Sequence, residues 1–187
     1  MRITGGQVRG RHLASLKGLQ IRPSSDLVRQ AIFNLIGQDT FGKKVLDLFA
    51  GTGSLGIEAL SRGAMEALFI DNSIRAIKLI NTNLKKCGYE ALGSIMKKDL
   101  GRGLPRNRTF ISKRFDLVFT DPPYRKGFLP PLLKELSEIN VLAPSTLVVT
   151  ESSQNDPLPE AFGELQRIKN RTYGETNINV YCYGRRA

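Results

Sequence analysis

The chain has 187 residues, 41% of them hydrophobic and 24% charged, which predicts one ordinary folded domain with a full core. No apolar run approaches the roughly 20 residues needed to span a bilayer. The N-terminus, "MRITGGQVRGRHL", lacks the apolar centre of a signal peptide, and Cys87 and Cys182 form neither a disulfide framework nor a zinc-ligand spacing, so a reducing cytoplasm is expected.

The net charge of +11 and pI near 10 favour a polyanionic partner, because neutralising phosphates releases their condensed counterions. The excess is clustered. Residues 1 to 44 carry eight Lys/Arg against two acids, and residues 97 to 114 carry seven against Asp99 alone.

In chain order, residues 1 to 22 read as an extended, glycine-punctuated arm, a hairpin with turns at Gly5-Gly6 and Gly18. Ile3, Val8, Leu13, Leu16, Leu19 and Ile21 are available to pack it. A helix follows, capped by Ser24 or Ser25, with Leu27, Val28, Ala31, Ile32, Leu35 and Ile36 on one face and Gly37 at its end. From Lys43 onward short apolar runs alternate with helical patterns. "KVLDLF", "ALFID", "GSIMKKD", "FDLVFTD" and "STLVVTE" are strands, and "GSLGIEALSRG", "SIRAIKLINTNLKKCG" and "PLLKELSEI" are helices. Two further strands, "ELQRIKNRTY" and "TNINVYCYG", flank Gly174 with no helical period between them, which predicts an antiparallel hairpin at one edge. Strand–helix alternation implies a mostly parallel sheet covered on both faces. The expected fold is therefore α/β and Rossmann-like, seven-stranded, with an antiparallel C-terminal strand. Residues 1–37 form a basic arm and helix, and residues 38–187 the main domain.

Chemistry concentrates at strand ends. "DLFAGTGSLG" places Gly51, Gly53 and Gly56 in a G-x-G-x-x-G spacing, which lets backbone approach a ligand at a helix N-terminus. Asp71, 20 residues after Gly51, ends the second strand where an acid can accept from ribose hydroxyls, and Asp99 ends the third. Asp47 lies in the approach strand, where a carboxylate repels a pyrophosphate but accepts from an ammonium. That separates S-adenosylmethionine, with its amino group and sulfonium, from NAD.

The fourth strand closes on "FTDPPY". Pro122 and Pro123 cannot continue a central strand, so the corner offers the Asp121 carboxylate, carbonyl acceptors and the flat ring of Tyr124 to a planar group bearing N–H donors. No His/Cys cluster supports a metal. An NAD-binding oxidoreductase accounts for the glycines but leaves Asp47 and the corner idle. A non-catalytic RNA-binding protein accounts for the charge but not for the acids.

The pieces "RITGGQVRGRHL", "RPSSDLVRQAIFNLI", "VLDLFAGTGSLGIEALSRGA" and "FTDPPY", in that order, resemble the bacterial 16S rRNA guanine-N2 methyltransferases of the RsmD type over residues 1 to 151. The sequence departs at Gln30, where that family usually carries Glu, and at Asp71, where its members can carry Glu. The resemblance implies a class I S-adenosylmethionine-dependent methyltransferase, acting as a monomer on 16S rRNA within a 30S subunit or an assembly intermediate. Asp47, Phe49, Gly51, Gly53, Gly56, Asp71 and Asp99 are then the candidate cofactor residues. Asp121, Pro122 and Tyr124 are the candidate catalytic residues. Pro123, with Arg9, Arg11, Arg22 and Arg29 of the arm, would meet the RNA. The glycine loop and corner are shared with amino-methyltransferases acting on adenine in DNA or on protein, which remain alternatives.

Overall fold

A single twisted sheet organises the chain. The computed structural model describes residues 1–15, 24–123 and 127–184. Arg22, Tyr124, the turn at Gly18, the packing of Leu16, Leu19 and Ile21, and the side-chain cap expected from Ser24 or Ser25 lie outside the described residues. The elements are α1 (Ser24–Ile36), β1 (Lys44–Leu48), α2 (Ser54–Ser61), β2 (Glu66–Asp71), α3 (Ile74–Cys87) and β3 (Gly93–Lys97). They continue through a 3-10 turn (Leu100–Arg102), α4 (Arg108–Ile111), β4 (Phe115–Thr120), α5 (Leu129–Glu138), β5 (Leu142–Ser153), β6 (Ala161–Phe162), β7 (Leu165–Tyr173) and β8 (Thr176–Tyr183).

The strand order is β3-β2-β1-β4-β5-β8-β7-β6. The first five are parallel, and β8 runs against β5 and β7. The sheet thus has eight strands rather than the expected seven. The addition is the two-residue β6, too short to leave a period-2 signature, paired to Leu165 and Gln166 of β7. The order reverses between β1 and β4, and in open α/β sheets such a switch point opens a crevice at the carboxyl ends of the strands.

Strand alternation sorts the core into two layers. Val45, Phe69, Leu117, Phe119, Val149 and Val180 face the arm, α1, α2 and α3, whereas Leu46, Ile70, Val118, Val148 and Tyr181 face α5. Because β1 and β4 are covered on both sides, their sequences read as continuous apolar runs. Two α1 assignments change. Phe33 is fully buried, its ring centroid 5.7 Å from that of Phe119, while Leu27 is 68% exposed. Leu27 stands in the first turn, outside the stripe of Val28, Ala31 and Ile32 that meets the sheet.

The arm is a hairpin. The Ile3 N–H donates to the Arg11 carbonyl at 2.9 Å, the Leu13 N–H to the Met1 carbonyl at 3.1 Å, and Arg2 bridges His12. Ile3 and Leu13 enter the core, with Val8 packed against it. A buried acid in α2 anchors the arm. Glu58, fully buried, accepts from the Thr4 N–H (2.8 Å) and Thr4 Oγ1 (2.7 Å), from Arg29 Nε (3.0 Å), and from Arg62 Nε (3.1 Å) and Nη2 (2.8 Å). Arg29 also donates to Asp26 and to the Arg2 carbonyl. Its pairing makes no use of position 30, where exposed Gln30 instead lines a surface groove.

Removing one partner of a buried charge network leaves the others uncompensated. Glu58→Ala strands Arg29 and Arg62, whose side chains are 3% and 5% exposed, and is expected to destabilise the protein by about 3–5 kcal/mol. Urea denaturation of the variant beside the parent checks this, and a loss below about 1 kcal/mol would contradict it.

Candidate active site

The crevice is built by the turn between β1 and α2. Phe49, Gly51 and Gly53 all take positive φ (57°, 56° and 75°), so three of five consecutive residues are left-handed. Glycine adopts this freely, but Phe49 is a strained position of the kind that clusters at functional sites. Its ring lies 5.5 Å from that of Phe128. Gly56 is small for a different reason. A Cβ there would stand 2.3 Å from a ring carbon of Phe69 and 3.1 Å from Asp47 Oδ2, so its absence lets α2 sit directly on the sheet.

Asp47 is 2% exposed, and its Oδ2 accepts the Gly56 N–H at 2.9 Å, taking up a donor in the first turn of α2. Burial pushes its carboxyl up to about 8. The Gly56 bond opposes the shift, and the charges of Asp121 and Asp71 add to it. Those influences put three acids around one crevice. Asp71 ends β2 and binds the loop itself, Oδ2 accepting the Gly51 N–H at 2.9 Å and Oδ1 the Ser73 N–H at 2.8 Å. Each oxygen keeps a lone pair for a further donor. Asp121 follows directly on β4 across the switch point and is exposed, with Pro122 buried behind it and Pro123 exposed.

Asp99 stands apart from the expected placement. β3 ends at Lys97, and Asp99 caps the 3-10 turn beyond it, accepting the Gly101 N–H at 3.0 Å, with Arg102 Nε 3.5 Å away. It is exposed at the crevice's outer end rather than inside the sheet.

The arm arginines separate. Arg29 is 2% exposed and paired with Glu58 and Asp26, so the expectation that it meets RNA is corrected. Its position on a helix could not reveal a partner 29 residues away. Arg9 is exposed, but lines a groove with Gly5, Gln7, Gln38 and Arg62 beside the C-terminal end of α2, a helix length from the crevice. Exposed Arg11 donates to the Lys86 carbonyl at 2.6 Å.

Sequence reasoning missed Asn83. Fully buried in α3, it accepts the Ala14 N–H at 2.7 Å and donates to the Ala14 and Thr52 carbonyls at 3.1 and 2.9 Å. It ties the end of the arm to the glycine loop. A polar residue at an apolar helical position was the available signal. No group of three or more acids, histidines and cysteines could hold a metal among the described residues.

A family model described as "Conserved hypothetical protein 95" matches residues 1–182. The chain belongs to this family. A relative from Haemophilus influenzae, named ribosomal RNA small subunit methyltransferase D, is 33% identical over 186 residues, covering 97% of this chain and 93% of the relative. The Escherichia coli K12 protein of the same name is 31% identical over 185 residues, covering 97% and 89%. The solved structure of the Escherichia coli protein yhhF matches with a TM-score of 0.82 at 30% identity, covering 98% of this chain and 97% of that one. This family member therefore has the Rossmann-like methyltransferase fold.

Asp47 generates a pH signature. Between about pH 4 and 8 the folded state holds a proton on Asp47 that the unfolded chain has released, so stability falls as pH rises through that window. Urea midpoints between pH 5 and 9, measured without added ligand, should decline for the parent. They should decline less for Asp47→Asn, and equal slopes would contradict the assignment.

Proposed function

We propose that this chain transfers a methyl group from S-adenosylmethionine to the exocyclic N2 amine of a guanine in small-subunit rRNA. The observation that carries the reading is the meeting of Asp47, Asp71 and Asp121 at the switch point, opposite a loop that backbone alone can line. Such a crevice suits a ligand with an ammonium, a sulfonium and ribose hydroxyls. It opposes a dinucleotide, because the buried carboxyl of Asp47 occupies an amide donor at the helix start that a pyrophosphate would seek. The names of the relatives and the basic charge of the chain support RNA as the acceptor.

S-adenosylmethionine supplies a methyl group on a positively charged sulfur. Asp71 would hold the ribose, Gly51 and Gly53 the amino-acid tail, Asp47 the ammonium through the loop, Phe49 the ligand's apolar side, and Asp99 the outer end. Asp121 and the Pro122 carbonyl would each accept one hydrogen of the guanine amine. That fixes the nitrogen and turns its lone pair out of conjugation and toward the cofactor. Asp121 then passes the proton shed by the methylated amine to water. Pro123 and the Tyr124 ring bound the base, which must be unpaired or flipped to enter. Arg9 and Arg11 are assigned to phosphates farther along the RNA. We take the enzyme to work as a cytoplasmic monomer on a 30S subunit or assembly intermediate. No helix among the described residues is long and apolar enough to cross a membrane.

Single-turnover assays with labelled cofactor on 16S rRNA, on 30S particles and on duplex DNA, with nucleoside mass spectrometry, test the reading. N2-methylguanosine in the RNA arms is expected. Asp121→Ala should slow transfer by about 10²–10³-fold with little change in S-adenosylhomocysteine affinity. Asp121→Asn should keep more activity, since its amide oxygen still accepts. Tyr124→Ala should lose roughly 1–3 kcal/mol of stacking, and Tyr124→Phe less. Wild-type turnover by Asp121→Ala would remove the corner from the chemistry.

A further inference from the structure

The far side of the strand-end rim carries a surface that the site has not used. β8 and β7 turn back at Gly174, and their hairpin tip lies level with the end of β5, where Ser153 pairs with Thr176 and Thr176 with Tyr173. The rim that holds Asp121 therefore continues to Tyr173. Register defines one row across it. Asp121 follows the Thr120–Thr150 pair and stands level with Glu151, Glu151 pairs with Ile178, and Ile178 with Arg171. Three strand spacings separate Asp121 from Arg171, about 14 Å.

Beyond Arg167 the outer edge of β7 is open, because β6 reaches only Leu165 and Gln166. Residues 169–173 are exposed. Lys169, Arg171 and Tyr173 pair with Val180, Ile178 and Thr176, so they project from the face that carries α1. Lys169 donates to the Leu35 carbonyl at the end of α1 at 2.6 Å, which braces the hairpin against the body. The Arg171 guanidinium donates to the neighbouring Asn170 carbonyl, and no ion pair to a carboxylate forms with it among the described residues. The Tyr173 ring is 38% exposed at the tip.

We infer that the β7–β8 hairpin tip is an RNA-binding wall of the active site, with Arg171 contacting a phosphate and Tyr173 stacking on a base next to the methylated nucleotide. This rests on the rRNA reading above. Charge complementarity selects RNA, since an exposed cation and an exposed aromatic ring on a protein of charge +11 match a phosphate and an unstacked base. The same cations on an open edge oppose addition of a strand from another protein. A braced hairpin on the rim also supplies what the buried Arg29 and the distant Arg9 do not, a contact beside the reacting base.

The test uses the full chain with 16S rRNA. Arg171→Ala should reduce the slope of log affinity against log salt by about 0.7–0.9. Tyr173→Ala should weaken binding by about tenfold with the slope unchanged, within the range for one lost stacking partner. Both variants should raise KM for RNA more than they lower kcat, and both should bind S-adenosylhomocysteine and melt like the parent. Arg114→Ala, exposed at the opposite rim before β4, is the charge-matched control and should leave the slope unchanged. Parental affinity, slope and KM in the Arg171→Ala/Tyr173→Ala double variant would overturn the inference, as would an equal loss of slope in Arg114→Ala. A double variant that keeps RNA affinity but loses self-association in sedimentation would overturn it in favour of strand pairing between copies. A parent protein that fails to methylate any RNA would instead remove the functional reading beneath it.

Discussion

The hydrogen bond from the Gly56 N–H to the buried Asp47 carboxyl is the constraint on which the crevice depends. It closes the turn between the central strand and the helix crossing it, and it requires the bare Cα of Gly56 to let that helix lie against Phe69. With the turn closed, Phe49, Gly51 and Gly53 are held in left-handed conformations, and the Gly51 N–H is directed to Asp71. A carboxyl in this place is costly, since burial and two neighbouring acids all disfavour its charge. A cation in the crevice would favour the charged form that burial and the neighbouring acids oppose.

A second buried acid plays the complementary part on the same helix. Glu58 gathers five donors from the arm, α1 and α2, so the N-terminal segment is joined to the body by a charge network as well as by Ile3, Leu13 and Phe33 in the core. One short helix therefore carries both functions. Its first turn shapes the crevice, and its middle anchors the arm. Asn83 links the two from α3 by bonding the end of the arm and the glycine loop at once.

The rim then reads as a sequence of chemistries. Asp71, the glycine loop, the Asp121-Pro122-Pro123 corner and the hairpin bearing Arg171 and Tyr173 follow one another along β2, β1, β4 and the β7–β8 turn. Basic charge alone did not predict this order. Among the described cations of the arm, Arg29 is held in the Glu58 network, Arg11 bonds the Lys86 carbonyl and Arg9 lines a groove beside the end of α2. Arg171, in the row of Asp121, belongs instead to a tail whose sequence offered only a strand pattern.

What the sequence by itself determined is local. Alternating apolar runs and helical periods specified the parallel core, because backbone geometry couples each period to one element. Asp71 and Asp121 could be placed because each closes such a run, Asp47 because it interrupts one just before its end, and proline at 122 and 123 forbids a longer strand. The eighth strand was not legible, being two residues held by pairing to β7. Nor were the fates of Arg29 and Leu27, since burial of a side chain depends on what the fold brings against it. Glu58 lies 29 residues from Arg29, and Leu27 in the first turn of α1 is left 68% exposed. Asp121 and Arg171 share a row only through three inter-strand registers. Charge, exposure and adjacency across strands are properties of the assembled sheet, because they arise from contacts between residues far apart in the chain.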